Sequence, residues 1–158
     1  MSKLNQKKSL IITDVKEDIY RLFPEITNKQ PSEWVVFNSY GTVISQPYGC
    51  MMRNIILAVY NDNVEDIYII GEKDDQGRMG ESILNKIKEA GVSEDTIHTI
   101  NYLDVVDNDL ASWLIGAEDV KGAIEKNIDL IKGHPLMPKS ISVHAYIADT
   151  NTGEYAAV

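Results

Sequence analysis

Two short stretches of this 158-residue chain gather the side chains best suited to acid–base or metal chemistry: Asp14-Val15-Lys16-Glu17-Asp18 and Glu72-Lys73-Asp74-Asp75. Each follows an apolar, β-branched run, Ser9-Leu10-Ile11-Ile12-Thr13 in the first case and Asp66-Ile67-Tyr68-Ile69-Ile70-Gly71 in the second. Carboxylates from two such loops, brought within a few ångströms of each other, repel and demand compensation. Three kinds of compensation exist. A hard divalent cation such as Mg²⁺, Mn²⁺ or Ca²⁺ prefers carboxylate oxygen. A basic side chain can form an ion pair, and Lys16, Lys73 and Arg53 are the candidates within reach. A shared proton would make one carboxylate a general acid or base. If instead the loops splay apart, these residues are ordinary solvated charges.

The elements that would position these loops are legible as hydrophobic patterns. The two runs above suit strands buried on both faces of a parallel sheet, and Trp34-Val35-Val36-Phe37-Asn38, entered after Pro31-Ser32, is a third strand. Met52, Ile55, Ile56 and Val59 repeat at the spacing of one buried helix face. Ile83, Ile87 and Ala90, ended by Gly91, predict a second helix. Asp119 to Ile131 predicts a third, stopped at Gly133-His134-Pro135. Ile141 to Ile147 alternates like a half-exposed strand, and Asn151-Thr152-Gly153-Glu154 is a hairpin turn before Tyr155 to Val158. Strands alternating with helices predict an α/β fold, a mainly parallel central sheet with flanking helices and an antiparallel edge. In open sheets of this kind ligands bind beyond the strand C-termini, so the loops after Thr13, Asn38 and Gly71 should surround one crevice.

Composition narrows the function classes. At 44% hydrophobic residues, the length predicts one domain over residues 1–158, with residues 1–8 as a flexible lead. A formal net charge of −9 disfavours nucleic acid and anionic membranes as partners. The apolar run Leu10 to Ile12 is too short for a membrane span or a signal-peptide core. One cysteine, Cys50, precludes an internal disulfide and fits a reducing, cytoplasmic setting, with the thiol expected as a small buried hydrophobe. His98 is expected on the surface in a loop or strand, and neither it nor His134 or His144 is assigned catalysis. Trp34, Trp113 and the tyrosines are expected in the core or an interface. No P-loop, nucleophile elbow or dinucleotide fingerprint is present, and Gly71 to Gly80 lacks the spacing of a phosphate cradle.

Longer stretches carry a resemblance. Gly41-Thr42-Val43-Ile44, then Met52 to Tyr60, then Val64 to Gly71 resemble the centre of β-class carbonic anhydrases, especially their short bacterial members. Ile131-Lys132-Gly133-His134-Pro135-Leu136-Met137-Pro138, followed by Ser142 to Asp149 and Thr152-Gly153, looks like that family's closing helix, loop and hairpin. The similarity runs co-linearly over roughly residues 9 to 158, which is more specific than any single motif.

The resemblance implies a zinc site that these residues do not reproduce. Family members hold zinc through a Cys from Cys-x-Asp-x-Arg and a His and Cys from Gly-His-x-x-Cys-Gly, and the metal makes hydroxide that attacks carbon dioxide. Matched residue by residue, the three ligand positions carry Asp14, Glu72 and Asp75, and the family's Asp–Arg dyad becomes Lys16 and Asp18, with charges reversed. Arg-Asn-Ala-Gly-Gly in the family becomes Phe37-Asn38-Ser39-Tyr40-Gly41, which alters the substrate-facing wall. The expectation is a pseudoenzyme without a cofactor that binds a small ligand or protein partner. The alternative is a lyase or hydrolase acting on CO2 or a similar small substrate through Mg²⁺, Mn²⁺ or Ca²⁺ on Asp14, Glu72 and Asp75, zinc being disfavoured by the all-oxygen set. The family forms homodimers, and a homodimer is the expectation here.

Overall fold

β-branched, apolar runs that cannot satisfy their backbone alone pair side by side, and in this chain they make a five-stranded sheet in the order β2-β1-β3-β4-β5. The computed structural model describes residues 6–44, 46–73, 80–106, 108–115 and 119–158. The strands are β1 (Lys8–Thr13), β2 (Trp34–Asn38), β3 (Val64–Glu72), β4 (Ser142–Ala148) and β5 (Tyr155–Ala157). The first four pair in parallel, and β5 turns back antiparallel on β4. This is the expected sheet, with three differences. Glu72, expected in a loop, is the last residue of β3 and pairs with Ala148. Ile141–Ile147, expected as a half-exposed strand, begins and ends one residue later and is flanked on both sides. Lys8, expected in the flexible lead, is in β1: its N–H donates to Asn63 O at 3.1 Å, and Asn63 Nδ2 donates to Gln6 O at 3.0 Å. Residues 1–5 lie outside the described residues.

Successive side chains on a strand face opposite ways, so the sheet carries an apolar layer on each side. On one face Leu10, Ile12, Ile67, Ile69 and Ala145 pack against the helices α2 (Cys50–Asn61) and α6 (Val120–Lys132) through Met52, Ile55, Val59, Ile124 and Ile131. On the other, Ile11, Ile70 and Ala148 meet Ile19, Leu22, Phe23 and Ile26 from a 3-10 turn, Glu17–Leu22, and a five-residue helix α1 (Phe23–Thr27). The helical spacing in Cys50–Asn61 is as predicted, although Ile56 is half-buried. Asp119 caps α6 by accepting from Gly122 N at 2.7 Å, one residue before the helix proper.

Beyond β3 the chain builds a small helical group of α3 (Gly80–Glu89), α4 (Glu94–Asn101) and α5 (Leu110–Ile115), around Ile97, Val106 and Leu110. Only α3 was expected. α4 contains His98, which is exposed but helical rather than in a loop or strand. Helices of five to eight residues leave a weak periodic signal, which is why the sequence pattern does not reveal α1, α4 and α5. Cys50 also departs from expectation: it is exposed at the first residue of α2. No helix among the described residues is long and apolar enough to cross a membrane.

Strand β3 and helix α6 approach closely at Gly71. A Cβ placed there would stand 2.6 Å from Val120 Cγ2 and 2.9 Å from Ile124 Cδ1. Both distances are below what packed carbon atoms tolerate, and Ile124 is fully buried. Gly71→Ala should therefore destabilise the protein by about 1–3 kcal/mol through overpacking. Urea denaturation measures this, and an unchanged midpoint would mean that α6 moves away at no cost.

Candidate functional site

The strand order fixes where a site can be. β1 leads to β2 on one side of itself, while β3 lies on the other, so the loops leaving β1 and β3 diverge at their C-terminal ends. That is a topological switch point, the place where open α/β sheets bind ligands. Thr13 pairs with Ile70, and its hydroxyl donates to Ile70 O at 2.7 Å, which holds the two strand ends together. The next residue of β1's exit is Asp14, and the last of β3 is Glu72.

Both carboxylates take hydrogen-bond donors from the chain. Asp14 Oδ1 accepts from Val15 N at 2.7 Å and from Gly41 N at 3.2 Å, so it anchors the turn after β2. Asn38 Nδ2 braces the same corner by donating to Asp14 O at 2.9 Å and to Tyr20 Oη at 2.8 Å. Glu72 Oε1 accepts from the Thr150 hydroxyl and lies 3.5 Å from Lys16 Nζ. The Lys16 side chain is 67% exposed and that of Glu72 only 11%, so an ammonium at the rim covers a nearly buried carboxylate. Glu72 Oε2 is buried and has no hydrogen-bond partner among the described residues.

Of the remaining candidates, Asp18 is exposed in the 3-10 turn after β1. Arg53, expected as a possible charge partner, is exposed on α2, where Nη1 donates to Asn54 Oδ1 at 3.5 Å, so helix geometry directs it along its own surface. Lys73 is exposed, and its backbone N–H extends the β3–β4 ladder to Ala148 O at 2.7 Å. Asp74 and Asp75 lie outside the described residues.

The turn after β2 is held from the opposite side. Asn127, buried on the apolar face of α6, accepts from Ile44 N at 3.0 Å through Oδ1 and donates through Nδ2 to Thr42 O. Thr42 itself has φ +56°, uncommon for a β-branched residue, and its buried hydroxyl has no hydrogen-bond partner among the described residues. Backbone strain of this kind persists only where surrounding contacts over-determine it. Asp14 and Asn127 supply those contacts.

No family model matches the chain. It is 32% identical to the Bacillus subtilis protein named "Putative carbonic anhydrase YtiB", over 97% of this chain and 81% of that one. It is 31% identical to "Putative carbonic anhydrase-like protein YbcF" of the same organism, over 98% of this chain and 88% of that one. The chain belongs to the β-class carbonic anhydrase family. Its fold agrees: the β-carbonic anhydrase isoform I of Trichomonas vaginalis superposes with a TM-score of 0.76 at 19% identity, covering 99% of this chain and 86% of that chain. A tetrameric β-carbonic anhydrase of Sordaria macrospora gives 0.59 at 16% identity, covering 98% and 81%.

Against that family, the donor set at the switch point does not suit zinc. Zinc takes thiolate and imidazole in such sites, whereas Asp14 and Glu72 offer oxygens that already accept from peptide N–H, hydroxyl and ammonium groups. The soft ligands of the chain are elsewhere. Cys50 opens α2, and His144 stacks on Tyr68 at 4.9 Å. His134 is buried, with Nδ1 accepting from Leu136 N at 3.2 Å and Nε2 donating to Pro47 O at 2.9 Å. Among the described residues, no group of three or more His, Cys, Asp or Glu is arranged to hold a metal ion.

Sequence reasoning missed Thr150, Arg21 and Asn127. Thr150 and Arg21 carry no local signal, being 78 residues from Glu72 and 129 residues apart respectively. Asn127 did carry one: it is a polar residue on the helix stripe of Ala123, Ile124 and Ile131. Truncating it leaves Ile44 N–H and Thr42 C=O buried without partners, so Asn127→Ala should cost about 2–4 kcal/mol. Chemical denaturation reads this directly, and a loss below about 0.5 kcal/mol, as for an ordinary surface substitution, would remove Asn127 from the support of the turn.

Proposed function

We propose that this chain is a non-catalytic carbonic anhydrase relative, a pseudoenzyme without the family's zinc site, whose remodelled crevice binds a small ligand or a protein partner. The observation that carries the reading is the state of the two carboxylates at the switch point. Asp14 is committed to the backbone of the β2 turn, and Glu72 to Thr150 and Lys16. A zinc-bound hydroxide needs three fixed ligands and one open position. Here the matched positions carry acids, and the oxygens of Asp14 and Glu72 serve as structural acceptors. Lys16 and Asp18, where the family's Asp–Arg dyad would stand, reverse the charges around any anion formed there.

A second reading is favoured by Glu72 Oε2, which is buried and lacks a hydrogen-bond partner among the described residues. In that reading Asp14, Glu72 and Asp75 hold Mg²⁺, Mn²⁺ or Ca²⁺ through oxygen, and the chain acts as a lyase or hydrolase on CO2 or a similar small substrate. The pseudoenzyme reading is preferred because Asp14 Oδ1 already has two donors.

The protein is proposed to be a cytoplasmic homodimer. The edge strand β2 supports self-association: its Trp34, Val35, Val36 and Phe37 are only half-buried in one subunit. The Sordaria macrospora relative is tetrameric. The lone, exposed thiol of Cys50 supports a reducing compartment.

Elemental analysis of protein purified without chelator, joined to a CO2 hydration assay with and without added Zn²⁺ and Mn²⁺, decides between the readings. The expected result is substoichiometric metal and hydration at the uncatalysed rate throughout. One equivalent of metal that is lost in Asp75→Ala would overturn the pseudoenzyme reading in favour of the second.

A further inference from the structure

We propose that Lys16, Glu72, Thr150 and Arg21 form a latch that ties three segments of the crevice rim together, doing by side chains what a bound cation would otherwise do. The proposal rests on the reading that the crevice carries no zinc. It concerns what holds the rim in place.

The four residues come from three segments. Glu72 ends β3, in register with Ala148 of β4. Thr150 stands two residues beyond Ala148 in the turn between β4 and β5, and its hydroxyl donates to Glu72 Oε1. Lys16 and Arg21 both follow β1: Lys16 Nζ lies 3.5 Å from Glu72 Oε1, and Arg21 Nη2 donates to Thr150 O. Thr150 is thus gripped through its hydroxyl by one segment and through its carbonyl by another.

The turn that presents Thr150 is itself stiff. Asp149 Oδ1 accepts from Asn151 N at 2.9 Å, Gly153 N donates to Asp149 O at 2.8 Å, and Asp149 N donates to Glu154 O at 2.8 Å. Gly153 adopts φ +78°, which glycine reaches without steric penalty. Lys73 N to Ala148 O extends the β3–β4 ladder past Glu72. The hydroxyl is therefore held in place before it meets the carboxylate, and little side-chain entropy is lost in the contact.

Charge supplies the reason for the arrangement. A carboxylate whose side chain is only 11% exposed must be compensated, and a divalent cation or a set of donors can each do so. Hydroxyl and ammonium on one oxygen are the donor solution. Lys16 is mostly solvated and is worth little as an ion pair alone. The greater part of the hold comes from Thr150, which is half-buried and bonds to a charged group.

Hydrogen exchange on the full-length protein tests the latch, with the amides of Lys73, Asn151 and Gly153 as reporters. Thr150→Val keeps the shape and removes the hydroxyl. It should speed exchange at these amides by roughly tenfold or more, the equivalent of one hydrogen bond to a charged group, while the amides of Leu10 to Ile12 stay unchanged. Thr150→Ser keeps the hydroxyl and should restore most of the protection. Chelator should leave the wild-type pattern unchanged. Exchange unaltered in Thr150→Val, equal loosening in Thr150→Ser, or loosening of the wild type by chelator would each overturn the latch. These outcomes are separate from the metal and hydration assays: a catalytically silent protein can lack the latch, and a latched rim does not by itself silence catalysis.

Discussion

The constraint on which the rest of the structure depends is the parallel pairing of β1 with β3, stitched at its end by the Thr13 hydroxyl on Ile70 O. Once those strands end side by side with β2 on one flank and β4 on the other, their exits must diverge, and whatever follows them faces a shared opening. In this chain an acid stands at each exit. Two carboxylates at the end of a sheet whose faces bury mainly apolar side chains cannot be left bare, so the surrounding segments have to bring donors to them. The turn after β2 brings the Gly41 N–H to Asp14. The segment after β1 and the β4–β5 turn bring Lys16 and Thr150 to Glu72.

That requirement links parts of the molecule that share no local sequence. Asp14 and Asn127 hold the turn after β2 from opposite sides, and between them they sustain the positive φ of Thr42. Gly71 lets α6 lie close enough on β3 for Asn127 to reach the turn at all. At this end of the sheet, among the described residues, hydrogen bonds between backbone and side chains hold the strand exits and the turn after β2 together.

Much of the framework was legible because it depends on local pattern. The β-branched runs at Ser9–Thr13, Trp34–Asn38 and Asp66–Gly71, the helical spacing from Met52 to Val59 and from Asp119 to Ile131, and the turn at Asn151–Glu154 each state their own period, and co-linear similarity fixed their order as a β-carbonic anhydrase. The short helices α1, α4 and α5 were not legible, since fewer than three turns give too few repeats for a period. Cys50 was misjudged as buried. Its type is usually buried in proteins at large, but its position at the first residue of α2 exposes it.

For the site, the sequence alone determined which residue types stand at the strand exits: the oxygen donors Asp14 and Glu72. Residue identity is a local property, and reading it needs only alignment with a known motif. Tertiary structure alone decided what compensates those charges. It chose Lys16 over Arg53, placed Glu72 inside the strand, and brought in Thr150 from 78 residues away. Partner choice among charges depends on which side chains the packed sheet carries to within a few ångströms, and no period or spacing along the chain encodes that distance.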